Sequence, residues 1–196
     1  MMRGPGFDVA RDLAGLGALV RQDQSKGNYG IPAVGSNAQF MGLVLDRYLG
    51  APLNPIPYRG AAPALIDQVG GQLPIAIVPC DAMAEFHRAG KLRIIANAAE
   101  HRSAMIPDVA TLAEAGIKAP SDYLLAVYAP AGTRPEALNP ISEATRKLLG
   151  TPAMAERTAK AGLLPGYAGT EELRRIGRDS AAFWGEQVRQ SGYQPQ

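Results

Sequence analysis

Three short segments of this 196-residue chain contain residues suited to binding an anion. Each follows an apolar run typical of a strand and precedes a run typical of a helix: Gly35-Ser36-Asn37, Tyr58-Arg59-Gly60-Ala61 and Pro79-Cys80-Asp81. Turns from strand to helix leave backbone N–H groups unpaired at the helix N-terminus, where the helix dipole also favours negative charge. The chemistry expected of these segments is therefore non-covalent capture of a small carboxylate.

The first two segments have the clearest features of an anion site. Gly60 permits a turn with positive φ, and Arg59 either makes a charge-assisted hydrogen bond to the ligand or is a solvated surface residue. Ser36 or Asn37 either caps the following helix by accepting from an orphan N–H or contacts the ligand. The predicted ligand-binding residues are Gly35, Ser36, Asn37, Tyr58, Arg59, Gly60, Ala61 and Asp81.

The third segment allows two interpretations of its acidic residue. Asp81 is predicted to be the N-cap of the next helix. Within an anion site its carboxylate would instead select a ligand that carries an amine or a hydroxyl. Cys80 is predicted to be a small buried hydrophobe, because nothing nearby in the sequence would activate its thiol.

The elements that position these segments alternate regularly. Strands are predicted at Asn28–Gly35, Leu53–Tyr58, Leu73–Pro79 and Lys91–Asn97, with helices at Asn37–Leu49, from near Pro63, and at Asp81–Ala89. The prolines of the second strand predict that it is short or lies at an edge. Such alternation indicates βαβ units and a parallel sheet, which binds ligands at the carboxyl ends of its strands.

Outside this region the pattern is less regular. Phe7–Val20 fits a strand or a loose helix equally well, and Tyr123–Ala129 predicts a strand. Capping-box patterns begin at Thr111 and Thr133. In the long C-terminal helix, Trp184 lies on an apolar face and is predicted to be core.

Composition excludes several classes of function. Twenty Lys and Arg against 18 Asp and Glu leave a net charge of +2, too balanced for a nucleic-acid surface. One cysteine and two histidines predict no disulfide and no metal site, and no cofactor is expected. There is no run of about 18 apolar residues to span a membrane. Charged residues interrupt Met1–Val20, so no signal peptide is predicted there.

A serine hydrolase is the enzymatic alternative. Ser36, Asp81 and either His87 or His101 supply the residue types of a triad. However, Val34-Gly35-Ser36-Asn37-Ala38 lacks the second glycine of a nucleophile elbow. Both histidines are predicted to be surface residues, and the chain is not expected to be an enzyme.

Several motifs, in order and spacing, resemble the substrate-binding proteins of tripartite tricarboxylate transporters, the Bug family. They extend over roughly Asn28–Tyr193 and are Tyr58–Leu65, Gly71–Ala76, Arg88–Arg93, Arg102-Ser103, Pro107–Val109, Ala129–Thr133 and Phe183–Gly185. The resemblance implies a type II-like periplasmic binding protein in which two α/β lobes close on an organic acid. It implies a shortened parallel-sheet lobe at residues 22–97, and a hinge with the C-terminal part of the other lobe at 7–21 and 98–196. The family's Asp-Asn pair is replaced here by Val78 and Pro79.

The resemblance also implies a function. The expected ligand is a dicarboxylate, a tricarboxylate, an acidic amino acid or an aromatic acid, and the expected partners are the transporter's membrane subunits. The location implied is periplasmic, or cytoplasmic if the chain is complete as given without a signal peptide. The alternative is a fragment that binds no ligand and self-associates through a sheet edge and apolar surface left by a missing first-lobe segment.

Overall fold

The computed structural model describes residues 10–117, 119, 125–160 and 166–194. Two compact units are present, one formed by Met1–Ser121 with Ala182–Gln196 and the other by Asp122–Ala181. The described helices are α1 (Leu13–Gln22), α2 (Asn37–Leu49), α3 (Ala61–Val69), α4 (Cys80–Arg88), α5 (Pro135–Leu149), α6 (Pro152–Lys160) and α7 (Thr170–Ser191), with a 3-10 turn at Gln24–Gly27. The described strands are β1 (Asn28–Ile31), β2 (Asn54–Pro57) and β3 (Ile75–Ala76).

The three strands form a parallel sheet in the order β2-β1-β3. In the centre, Gly30 of β1 lies opposite Ile56 of β2 and Ala76 of β3. The predicted parallel α/β arrangement is confirmed, and β2 is an edge strand, as its prolines indicated. Because Pro55 and Pro57 have no N–H, this edge is poorly suited to pairing with a strand from another molecule.

The prediction of a fourth strand at Lys91–Asn97 is wrong. Only Asn97 is bridged, and its partner is Thr111 rather than a strand of the sheet. The Asn97 N–H donates to the Ala110 carbonyl, and the Leu112 N–H donates to the Asn97 carbonyl. The backbone hydrogen bonds of Asn97 therefore go to a neighbouring loop, and the Lys91 N–H donates to the Phe86 carbonyl of α4.

The core of the first unit is built on β1. Tyr29 is 0% exposed, and its hydroxyl donates to the Gln39 carbonyl of α2 at 2.8 Å. Burial, followed by the charge of Asp46, raises the pKa of Tyr29 to about 12. The N-terminal segment, for which the sequence allowed either a strand or a loose helix, contains helix α1, whose buried leucines pack into this core. Trp184 belongs to the same core, as predicted.

The second unit leaves much of its apolar surface exposed. Helix α5 has no buried residue and continues through Pro140. The capping box predicted at Thr133 is wrong, because its hydroxyl donates to the Pro130 carbonyl and Arg134 occupies the N-cap without a side-chain bond. The predicted strand Tyr123–Ala129 lies partly outside the described residues, and residues 125–129 form no strand. Its Leu125, Val127 and Tyr128 are 74%, 83% and 81% exposed.

The capping box at Thr111 is confirmed in a short turn. The Glu114 N–H donates to Thr111 Oγ1 at 3.1 Å, and the Thr111 N–H donates back to the Glu114 carboxylate at 3.4 Å. Arg102 donates two further bonds to Glu114, at 2.8 and 2.6 Å. Chiefly through the Arg102 hydrogen bonds, the pKa of Glu114 is lowered from 4.5 to about 2.

Glu114→Gln is therefore expected to destabilise the protein in a pH-dependent way. A depressed carboxylate pKa contributes stability that is present above the unfolded value and is lost as pH falls through the folded value. The difference in unfolding free energy between the wild type and this variant should have its largest value above about pH 4.5 and should decrease towards pH 2. Urea unfolding across this range measures it, with exposed Glu100→Gln as the control. A difference that stays constant with pH would contradict the expectation.

Candidate functional site

The three predicted loops meet at one edge of the sheet, because the carboxyl ends of parallel neighbouring strands lie at the same edge. Main-chain bonds hold the loops after β1 and β2 together. The Tyr58 N–H donates to the Ile31 carbonyl at 2.9 Å, and the Gly60 N–H donates to the Pro32 carbonyl at 3.0 Å. The loop after β3 joins from the other side of β1, where the Ile77 N–H donates to the Gly30 carbonyl at 3.0 Å.

The loop after β1 leaves the start of α2 without a side-chain cap. Ser36 occupies the N-cap position, but its hydroxyl donates to the Ala33 carbonyl at 2.7 Å and caps nothing. The predicted capping role of Ser36 is therefore wrong. Gly35 has a φ of 74°, and its N–H donates to the Gln39 side chain at 2.8 Å. The Gln39 N–H donates to the Ser36 carbonyl at 3.0 Å, whereas the N–H groups of Asn37 and Ala38 in the first turn of α2 have no acceptor among the described residues and remain suited to an anion.

The loop after β2 offers a ligand fewer groups than its sequence suggests. The N–H groups of Tyr58 and Gly60 are already bonded within the protein, and the Tyr58 hydroxyl donates to Asp67 of α3 at 2.8 Å. Burial, and then this bond, raises the pKa of Tyr58. Helix α3 begins at Ala61 without a side-chain cap. Arg59 is exposed and makes no hydrogen bond or ion pair with any described residue. The available donors are the N–H groups of Ala61 and Ala62 in the first turn of α3, since Pro63 has none, and this guanidinium.

The loop after β3 places an acidic residue at the same edge. Helix α4 begins at Cys80 with Pro79 as its N-cap, so the prediction that Asp81 is the N-cap is wrong. Pro79 has an extended backbone with ψ of 141°, and the helix begins directly after it, one residue earlier than predicted. Asp81 is exposed in the first turn. Cys80 is half-buried. Burial, followed by the charge of Asp81, raises the pKa of its thiol. A nucleophilic cysteine needs a lowered pKa, so this environment does not activate Cys80.

The residues named for a hydrolase are not brought together. The Ile94 N–H donates to His87 Nδ1 at 3.2 Å, and His87 Nε2 lies 3.3 Å from Asp108. The His87 side chain is 15% exposed and therefore more buried than predicted, whereas His101 is exposed as expected. Neither histidine is hydrogen-bonded to Ser36, whose hydroxyl hydrogen is directed at Ala33.

Two residues beside the first loop were missed in the sequence. Gln39 holds the Gly35 N–H, and its position three residues after Ser36 completes a Ser-x-x-Gln capping-box pattern that signals such a role. Tyr193 lies with its hydroxyl oxygen 2.9 Å from the position that a Cβ atom would occupy on Gly35. No local signal reveals this contact, because the two residues are brought together only by the fold.

Metal binding and membrane spanning find no support in the part of the chain that the structure describes. No cluster of His, Cys, Asp and Glu in residues 10–117, 119, 125–160 and 166–194 could hold a metal ion. Within the same residues, no helix combines the length and apolar character needed to cross a bilayer.

A family model described as the tripartite tricarboxylate transporter family receptor, TctC, matches residues 9–193. The chain belongs to this family. The Bug resemblance is confirmed by BugT of Bordetella pertussis, which is 31% identical over 184 residues, 92% of this chain and 56% of BugT. The TctC family consists of transporter receptors rather than enzymes, which agrees with the non-enzymatic interpretation of the sequence.

Solved structures share the fold. R. palustris Rpa4515 with adipate has a TM-score of 0.80 and 25% identity, over 97% of this chain and 64% of that chain. MatC from Rhodopseudomonas palustris with bound malate has a TM-score of 0.70 and 22% identity, over 91% of this chain and 62% of that one. This TctC chain therefore spans less than two thirds of the length of these relatives, and its fold corresponds to part of theirs.

Proposed function

We propose that this TctC chain binds a small organic carboxylate as part of a periplasmic solute-binding protein that serves a tripartite tricarboxylate-type transporter. The main observation in support is that the loops after β1 and β2 are hydrogen-bonded to each other at the sheet edge. The helices that follow them, α2 and α3, begin without side-chain caps. Family membership supports it, as do the related structures that contain adipate and malate. Transporter membrane subunits are the partners by the same analogy.

The donors at this edge suit a carboxylate. In the proposed complex, first-turn N–H groups of α2 and α3 donate to the carboxylate oxygens, and Arg59 adds a charge-assisted bond. Asp81, exposed at the neighbouring helix start, favours a ligand with a hydroxyl or an amine over a plain acid. We place the ligand-binding lobe at residues 22–97, with 7–21 and 98–196 as the hinge and part of the other lobe.

A thermal-shift series with adipate, malate, aspartate, citrate and benzoate tests the proposal. A ligand that binds only the folded state raises the unfolding temperature by mass action, so at least one acid is expected to do so in a concentration-dependent way. If none does, the carboxylate proposal fails. The self-associating alternative would then be favoured, since Leu125, Val127 and Tyr128 supply an exposed apolar surface.

Ser36→Ala is expected to weaken binding of the active acid about tenfold or less. The lost hydroxyl holds the loop through its bond to Ala33, and one such bond contributes about 1 kcal/mol. Isothermal titration calorimetry measures the change. His101→Ala, a substitution of an exposed residue outside the three loops, serves as the control and should bind like the wild type. Equal affinities for all three proteins would refute a role for Ser36.

A further inference from the structure

The segment after α7 is fixed against the start of α2. Helix α7 ends at Ser191, whose hydroxyl oxygen accepts a hydrogen bond from the Tyr193 N–H at 3.0 Å. The Tyr193 ring packs edge-on against Phe40, with ring centroids 5.6 Å apart and planes at 81°. Phe40 is buried in the first turns of α2. The Tyr193 backbone is therefore held by Ser191 and its ring by Phe40.

The Tyr193 hydroxyl lies directly over the first binding loop. Its oxygen is 2.9 Å from the position that a Cβ atom would occupy on Gly35, so a larger residue there would displace the phenol. The hydroxyl makes no hydrogen bond with any described residue, and the side chain is only partly buried. Gln39 already accepts the Gly35 N–H. An unused hydroxyl donor is thus held beside the uncapped N-terminus of α2.

We propose that Tyr193 is a ligand-contacting residue whose phenol donates a hydrogen bond to the bound carboxylate. The inference rests on the proposed carboxylate site. A carboxylate accepts such a bond in addition to those from first-turn N–H groups, because its two oxygens offer about four acceptor positions. A hydroxyl donor strengthens binding of the charged acid more than binding of its neutral amide, since hydrogen bonds to charged groups are stronger. Tyr193 therefore contributes to selection of an ionised acid.

Tyr193→Phe tests the inference by removing the hydroxyl and keeping the ring that packs on Phe40. Calorimetric titrations with adipate and malate should show about tenfold weaker binding, with an unchanged unfolding temperature in the absence of ligand. Tyr128→Phe is the matched control, because Tyr128 is 81% exposed in the other unit. It should bind like the wild type.

A spectroscopic measurement separates contact from an indirect effect. Adding the acid should perturb the ultraviolet difference spectrum of tyrosine in the wild type, and the perturbation should be lost in Tyr193→Phe. If the wild type binds an acid and Tyr193→Phe binds it equally well, the role of Tyr193 is overturned and the proposed function stands. If the wild type binds no acid by titration, both are overturned.

Discussion

Gly42→Ala is expected to lower the free energy of unfolding of the first unit by about 3 kcal/mol. A Cβ atom on Gly42 would lie 2.1 Å from the Tyr29 hydroxyl oxygen and 2.2 Å from Tyr29 Cζ. The Tyr29 ring is fully buried and its hydroxyl is bonded to the Gln39 carbonyl, so it cannot move without losing core contacts and that bond. Overpacking a core costs about 1–3 kcal/mol, and the lost hydrogen bond adds about 1 kcal/mol.

Urea unfolding followed by the fluorescence of Trp184, which lies in the same core, measures this loss. Gly185→Ala is the matched control, because a Cβ atom there would meet only the mobile end of Arg189 at 3.7 Å. At a helical position alanine should stabilise by about 0.5–1 kcal/mol, the opposite sign. Adding Tyr29→Phe to Gly42→Ala should recover part of the loss. Equal stability of the wild type and Gly42→Ala would show that α2 does not pack on Tyr29 as closely as described.

Gly60→Val is expected to weaken carboxylate binding at least about tenfold, equivalent to about 1.4 kcal/mol. Gly60 has φ of 103° and ψ of 175°, a backbone conformation that is essentially restricted to glycine. A Cβ atom there would meet nothing within 4 Å, so the strain comes from the backbone alone. To relieve it, the loop must rotate and break the Gly60–Pro32 bond that ties the two binding loops together.

Titration with whichever acid stabilises the wild type measures this effect. Gly166→Val makes the same chemical change at a glycine without positive φ and with open space around it. It should leave the affinity unchanged. Wild-type affinity in Gly60→Val would mean that the tie between the loops does not support binding, and the site would have to be placed elsewhere.

Sequence patterns correctly predicted those features of the fold whose physical cause lies within a few residues. Helix α2 has the predicted bounds, because an apolar stripe that includes Phe40 forms one face and Gly50 ends the helix in the left-handed conformation with φ of 57°. The regular alternation of strands and helices predicted the parallel α/β fold, since short connections leave few other topologies. The motif order predicted the TctC family.

Strand pairing depended on neighbours that are distant in the sequence, and helix capping depended on which residue occupies the N-cap position. Lys91–Asn97 has a strand-like composition, but Asn97 is bonded to Ala110 and Leu112, and the Lys91 N–H donates to the Phe86 carbonyl. Thr111 and Thr133 both begin capping-box patterns, yet only Thr111 makes the bonds, because the helix after Thr133 begins at Pro135 with Arg134 as its N-cap. A capping-box pattern alone does not determine which of two adjacent residues becomes the N-cap.

The same division holds at the candidate site. The sequence by itself determined that Gly-containing turns precede α2 and α3, because glycine and helix-start preferences act within a few residues. Only the tertiary structure decided that the Gly60 N–H is bonded to Pro32 and that Tyr193 lies over Gly35. The physical reason is that a donor is free or occupied according to what the folded chain places beside it.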